Sequence, residues 1–378
     1  MRSSARDDDA HVITTIADVL PSALATLGVP GSVDSLELPD VRRIAVLLVD
    51  GLGYHLLAPA AGAAPLLADV HAGRLGELRE IASCFPSTTP TSLVSLSTGA
   101  LPGAHGIVGF RVNMPGTRRV LTHIDWRADP DPAVWQPVRT QFEVAAAAGL
   151  ATSVVSRPDF ASSGLTVAAY RGARYVGAAD DDALAEAMLA ELAGPARLVY
   201  GYHAAVDTTA HLYGIGSVQW QEAVAEVGRL LARLIDGLPG DAALLVTADH
   251  GGLNVPLEHR VDVDTDRRLR AGVRVVAGEA RVRYLHTRRG AREDVIAAWR
   301  AVLGDAADVV SRDEAVAAGW FGAVPEQHLA RIGDVVAACR GDYAVLATKH
   351  EPELAGKLVA YHGSMTPAET AIPLIIIS

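Results

Sequence analysis

Two short apolar runs end abruptly in carboxylates, and they restrict the fold more than any other feature of this chain. One is Arg43-Ile44-Ala45-Val46-Leu47-Leu48-Val49-Asp50. The other is Ala242-Ala243-Leu244-Leu245-Val246-Thr247-Ala248-Asp249-His250-Gly251-Gly252. A short, continuous apolar run fits a strand covered on both faces, as in the centre of a parallel sheet. Glycines follow each run at once, which allows the chain to turn tightly. Open α/β sheets gather their ligands at the carboxyl ends of the strands. Asp50, Asp249 and His250 therefore fall where chemistry is expected.

The rest of the chain supplies strands and helices in alternation. Further strands are expected at residues 151–156, 197–202 and 372–377, and helices at 11–27, 60–75, 140–149, 183–192 and 218–238. That order predicts an α/β fold, a central mostly parallel sheet with helices on both faces. From residue 261 to 354 arginines multiply, and Arg281-Val282-Arg283-Tyr284-Leu285-His286 alternates like a half-exposed strand. We read this stretch as an inserted cap subdomain, with a catalytic α/β domain formed by residues 1–260 plus 355–378. Residues 111–137 look irregular and carry Trp126 and Trp135, placing them as a lining for a substrate face.

The chain has 378 residues, enough for one large domain with an insertion. Its net charge of −11 argues against general affinity for nucleic acid or an anionic membrane. An anionic substrate would need cations in its site. Two cysteines, Cys84 and Cys339, give no disulfide framework and point to a reducing compartment. Residues 1–10 are polar and acidic, unlike a secretory leader. No apolar run reaches the roughly 20 residues that span a bilayer. The expected location is the cytoplasm.

Cys84-Phe85-Pro86-Ser87-Thr88-Thr89-Pro90-Thr91-Ser92 reads as a loop entering a helix that ends at Gly99. Proline suits the first helical position, where a missing N–H costs nothing. Thr89 then becomes the N-cap, and the N–H groups of Thr91 and Ser92 are free to face an anion. A hydroxyl beside such amides is well placed to attack phosphorus. Taken alone, a Thr-Pro pair is an ordinary helix cap. Asp207 and His211 are four apart, so one helical turn puts them on one face. With Asp50, Asp249, His250 and His362 they make three carboxylates and three imidazoles, a donor set suited to two borderline divalent cations such as zinc.

In these pieces the chain resembles the alkaline phosphatase superfamily, and within it the type I phosphodiesterase/nucleotide pyrophosphatase branch. The matching segments are Leu48-Val49-Asp50-Gly51-Leu52-Gly53, Thr89 through His105-Gly106-Ile107, Asp207 through Gly214, Thr247-Ala248-Asp249-His250-Gly251 and His362-Gly363-Ser364. The resemblance implies an alkaline phosphatase-like fold and two metal centres. Asp207, His211 and His362 would hold one ion; Asp50, Asp249 and His250 would hold the other, with the Thr89 oxygen also reaching it. It implies a nucleophile ten residues before Gly99, which is Thr89. The family's habit of a proline two residues after the nucleophile would instead select Thr88. The branch often places an asparagine soon after His-Gly-Ile; here Gly109 and Phe110 stand there, with Asn113 further on.

The implied activity is hydrolysis of phosphate diesters, nucleotides among them, through a covalent phospho-threonine. The cofactors would be two divalent ions, zinc being the family's usual choice, with manganese or iron also suited to such ligands. Alternatives on the same site are a phosphomonoesterase, a phosphonate hydrolase or a mutase. A sulfatase fits less well, because Cys84 lies too far from Gly99. A metal-stabilised binding protein is the non-enzymatic alternative. The expected partner is a small phosphate ester, with neither nucleic acid nor membrane involved. His105 is read as structural, since metals would already supply the activation.

Overall fold

The computed structural model describes residues 14–378. Seven strands form its central sheet: β1 (Arg43–Val49), β2 (Glu77–Ala82), β3 (Thr152–Ser156), β4 (Arg174–Gly177), β5 (Leu198–His203), β6 (Ala242–Thr247) and, near the end of the chain, Ala371–Ile377. Of the strands between the last two, four form a second sheet: β7 (Val273–Glu279), β8 (Val282–Thr287), β9 (Ala307–Ser311) and β10 (Val335–Cys339). The final strand is therefore β11. The central order is β2-β11-β6-β1-β5-β3-β4. Only β11 runs against the rest, pairing antiparallel with both β2 and β6.

The apolar runs do form the inner strands. Residues 44–49 of β1 and all of β6 are buried, as strands covered by helices on both faces must be. Their register opposes Leu48 to Thr247 across β1 and β6, and Val49 to His203 across β1 and β5. Asp50, Asp249 and the chain following His203 thus leave the sheet at one edge. The helix Ala205–Tyr213 follows β5 after one residue, and the amphipathic helix Val218–Asp236 packs its buried face beyond it.

The four later strands make a separate antiparallel sheet, β7-β8-β10-β9. One face has its own core, centred on Trp299 of the helix Arg292–Leu303. The other face joins the main core through Tyr284, Phe321 and Val336. Tyr284 also donates its hydroxyl hydrogen to the Val108 carbonyl, 2.5 Å away.

Several expectations need correction. Arg281 and the strand after it are not half-exposed: Arg281 and Arg283 have no exposed surface, because Glu369 and Glu351 neutralise them inside. Trp126 and Trp135 are buried rather than lining a substrate face, and their indole N–H groups go to the Pro130 carbonyl and His123 Nε2. The helix expected at 60–75 is split into Leu57–Ala60 and Pro65–His71, since proline at 65 restarts a helix but does not continue one. Of the helix expected at 11–27, residues 11–13 lie outside the described residues; a short 3₁₀ turn, Ile16–Asp18, leads into Val19–Thr26. The reading of residues 1–10 also lies outside them. Among the described residues no helix is long and apolar enough to cross a membrane. Cys84 and Cys339 are both buried and unbonded.

Candidate active site

At the carboxyl edge of the sheet the six side chains singled out in the sequence come together in two groups. Asp207, His211 and His362 form one; Asp50, Asp249 and His250 form the other. Within each group the ligand-capable atoms all lie within 4.8 Å of one another. The helix Ala205–Tyr213 puts Asp207 and His211 one turn apart, with His211 Nε2 3.2 Å from Asp207 Oδ2. His362 Nε2 is 3.2 Å from His211 Nε2 and 3.8 Å from Asp207 Oδ1. His250 Nε2 lies 3.4 Å from Asp50 Oδ1 and 3.3 Å from Asp249 Oδ2. The groups meet where the His250 and His362 rings stack, with centroids 3.5 Å apart.

Each imidazole is oriented the same way. Nδ1–H of His211 donates to the Ala360 carbonyl at 2.7 Å, that of His250 to Gly251 at 2.8 Å, and that of His362 to Ser87 at 2.8 Å. This aims every Nε2 into the cluster, the outer-shell arrangement of metal-binding histidines. Asp50 Oδ1 and Asp249 Oδ2 are shut off from solvent and accept no well-formed hydrogen bond. Their other oxygens are occupied, Asp50 Oδ2 by the Tyr202 hydroxyl and Asp249 Oδ1 by the Gly51 and His250 amides. Unpartnered carboxylate oxygens beside the His250 Nε2 fit a divalent cation in the Asp50 group, and the converging Asp207, His211 and His362 atoms offer the same donor types for a second.

The electrostatics agree with that donor set. Burial holds the Asp50 carboxyl well above its usual range, and repulsion from Asp249 and Asp207 adds to it. Burial also pushes Asp249 up to about 6. Burial opposes charge on His211, but the adjacent Asp207 outweighs it and lifts His211 to about 9. Burial, then His250, brings His362 down to about 3. Three carboxylates this close cannot all ionise without positive charge between them.

Thr89 sits beside this cluster. Its Oγ1 is 3.2 Å from His250 Nε2 and 3.5 Å from Asp50 Oδ2. Thr88 is completely buried and its hydroxyl finds no well-formed hydrogen bond. The helix spans Thr89–Thr98, so the capping expectation shifts by one: Thr88 holds the extended N-cap backbone and Thr89 is the first helical residue. Consequently the Ser92 N–H is not free but donates to the Thr88 carbonyl at 3.0 Å. The Thr89 and Thr91 N–H groups have no partner among the described residues.

Other expectations fall outside the cluster. His105 is fully buried, bonded to Ser95 Oγ at 2.9 Å and to the Ile107 N–H at 3.1 Å, and burial brings it down to about 3. Asn113 is buried on a short strand, Arg111–Asn113, with its Oδ1 unpartnered. Sequence reasoning passed over Tyr202, which closes β5 one residue from its end and holds Asp50. An aromatic hydroxyl at the polar end of an inner strand was the available signal. It also passed over Glu279 of β7, whose carboxyl approaches Gly363 beside His362 and is pushed up to about 8 by burial. A cavity of about 240 Å³ opens beside Tyr202, lined by Arg157, Asp181, His203 and Thr208.

Comparison with known proteins adds a lineage to this geometry. A model of the type I phosphodiesterase/nucleotide pyrophosphatase family matches residues 44–365. No curated protein matches the sequence significantly. Among solved structures, phosphonoacetate hydrolase from Sinorhizobium meliloti, in complex with phosphonoacetate, has a TM-score of 0.69 at 21% identity, covering 90% of this chain and 91% of its own. Murine ectonucleotide pyrophosphatase/phosphodiesterase 5, an inactive threonine-to-alanine variant in complex with AMP, has a TM-score of 0.68 at 18% identity, covering 89% and 87%. Its human counterpart gives 0.67 at 17% identity, with the same coverage. At such identities the likeness is one of fold: the alkaline phosphatase-like sheet with its helices.

Proposed function

The chain belongs to the type I phosphodiesterase/nucleotide pyrophosphatase family, hydrolases acting on phosphoric ester bonds, and we propose that it cleaves phosphate diesters through a covalent phospho-threonine on Thr89. The observation that carries this reading is the position of the Thr89 hydroxyl, half-buried at the mouth of the cluster and within 3.5 Å of both Asp50 and His250. Asp50, Asp249 and His250 would hold one zinc ion, and Asp207, His211 and His362 the second. Bound there, the two cations would lower the pKa of the attacking hydroxyl and neutralise the charge of the departing oxygen.

Thr89 Oγ1 forms the new bond to phosphorus as the bond to the ester oxygen breaks, and the hydroxyl proton is released. The departing oxygen takes a proton and leaves as an alcohol or a nucleoside. Water then cleaves the phospho-threonine and restores the hydroxyl. The free Thr89 and Thr91 amides at the helix start offer partial positive charge to the phosphoryl oxygens. Tyr202 keeps Asp50 oriented, and the cavity beside it would take the diester's second substituent. Residues 261–354 would act as the cap over this edge, with Glu279 reaching Gly363 beside His362. The two buried, unpaired cysteines support a cytoplasmic location.

Phosphonate hydrolysis is the second reading on the same residues, favoured by the neighbour that binds phosphonoacetate. Turnover of bis-p-nitrophenyl phosphate, p-nitrophenyl phosphate, a dinucleotide and phosphonoacetate, with zinc added, separates the two. The proposal expects the diester to be the better substrate, Thr89→Ala to lose turnover by at least about a thousandfold while retaining its metal, and Thr88→Ala to keep it. Undiminished turnover in Thr89→Ala would end the covalent scheme.

A further inference from the structure

Arg281 and Glu369 form an ion pair in which neither side chain has exposed surface. Arg281 lies at the turn between β7 and β8; Glu369 lies in the short helix Pro367–Thr370 ahead of β11. The guanidinium binds both carboxylate oxygens, Nε to Oε1 at 2.9 Å and Nη2 to Oε2 at 2.7 Å. Two more donors complete the carboxylate: the Ser364 N–H to Oε1 at 2.9 Å and the Thr366 hydroxyl to Oε2 at 2.6 Å.

Ser364 stands two residues after His362, and the network runs on from there. The Ser364 carbonyl accepts the Ser87 hydroxyl at 2.7 Å, and Ser87 Oγ accepts the Gly363 N–H at 3.2 Å. The Ser87 carbonyl is the acceptor that orients His362 through Nδ1. The Ser364 hydroxyl donates to the Cys339 carbonyl at 2.6 Å, a second tie to the inserted sheet. The Glu369 carbonyl also receives the Gly251 N–H at 2.8 Å, next to His250.

A buried ion pair is poor evidence for stability, because desolvation offsets most of its attraction and apolar residues of equal volume often serve better. This pair has every acceptor filled, and one of its donors fixes the loop that carries His362. We propose that Arg281 and Glu369 are positioning residues, through which the inserted segment holds the His362 imidazole in register with Asp207 and His211. The inference rests on reading those three residues as one metal-binding group. Outer partners of metal ligands typically matter by tenfold to a hundredfold in affinity.

The test is zinc titration of the full chain against a competing chelator, with thermal unfolding measured in parallel. Wild-type protein should show two binding steps, and His211→Ala identifies the one belonging to the His362 group. In Arg281→Lys, which keeps the charge and loses the two-pronged geometry, that step should weaken by about tenfold or more, and by clearly more than the other, which the network reaches only through the Glu369 main chain. The double variant Arg281→Met/Glu369→Gln removes both buried charges together and serves as the folded alternative if single changes do not fold. Its His362-group step should weaken similarly. Wild-type affinity at that step in either folded variant would overturn the inference. Equal weakening of both steps would also overturn it, because general loosening has no preference for one group. A wild-type chain that binds no zinc would overturn the ligand reading itself, and the inference with it.

Discussion

Gly51 is a position where a single methyl group should press directly on the site. It follows Asp50 with φ +75°, and a Cβ placed on it would lie 2.7 Å from Asp207 Cβ and 3.0 Å from Asp207 Cα. Carbon atoms pack at roughly 3.5–4.0 Å, so Asp207 would have to move by about 1 Å. The left-handed backbone adds about 1–2 kcal/mol of its own for a residue with a side chain. Misplacing a reacting group by about 1 Å can cost about a hundredfold in rate, equivalent to about 2.7 kcal/mol. Gly31 supplies the control: its φ is +83° and nothing lies within 4 Å of the added Cβ. Gly31→Ala should therefore lose only the backbone share, about 1–2 kcal/mol in urea unfolding, and Gly51→Ala at least as much. Only Gly51→Ala should also lose about a hundredfold in turnover of bis-p-nitrophenyl phosphate, and zinc from the His211 group. Equal turnover in the two variants would refute the claim that Asp50 and Asp207 share one tightly packed site.

The remaining predictions concern metal and pH. Removing metal with a chelator should abolish turnover and lower thermal stability, by about 2.7 kcal/mol per site relative to protein held at a hundredfold excess over Kd; zinc should restore both, and a chelated chain with full turnover would contradict metal dependence. Burial opposes charge on Glu351, but Arg283 and Arg111 outweigh it and hold the carboxyl below its usual range. A lowered folded pKa stabilises above the unfolded value of about 4.3 and loses that contribution as pH falls below it. Unfolding free energy should thus drop through that acidic window, and Glu351→Gln should be less stable at neutral pH with a shallower acid limb. Parallel acid limbs in the two proteins would remove Glu351 from the account.

The inner strands were legible because a strand covered on both faces must be apolar throughout, and few other elements look like β1 or β6. The six clustered side chains were legible because each sits at a strand end, on a helical i, i+4 spacing or beside a glycine. The helix start was misjudged by one residue, since proline is tolerated at either of the first two helical positions and Thr88 and Thr89 are equally good caps by type. The inserted sheet was misread for a different reason. Alternating arginine and apolar residues look half-exposed until the neutralising carboxylates are known, and Glu369 and Glu351 lie 88 and 68 residues away along the chain. No local pattern announces such pairs, which is also why the network behind His362 left no trace in the sequence. Trp126 and Trp135 were placed at a surface because no periodicity surrounds them. Both are buried against short segments with little regular structure.

Anomalous X-ray scattering from zinc-loaded crystals tests the central claim most directly. The account predicts two peaks, one among Asp207, His211 and His362 and one among Asp50, Asp249 and His250, with Thr89 Oγ1 facing the second. A single peak elsewhere, or zinc bound without these six side chains, would contradict it.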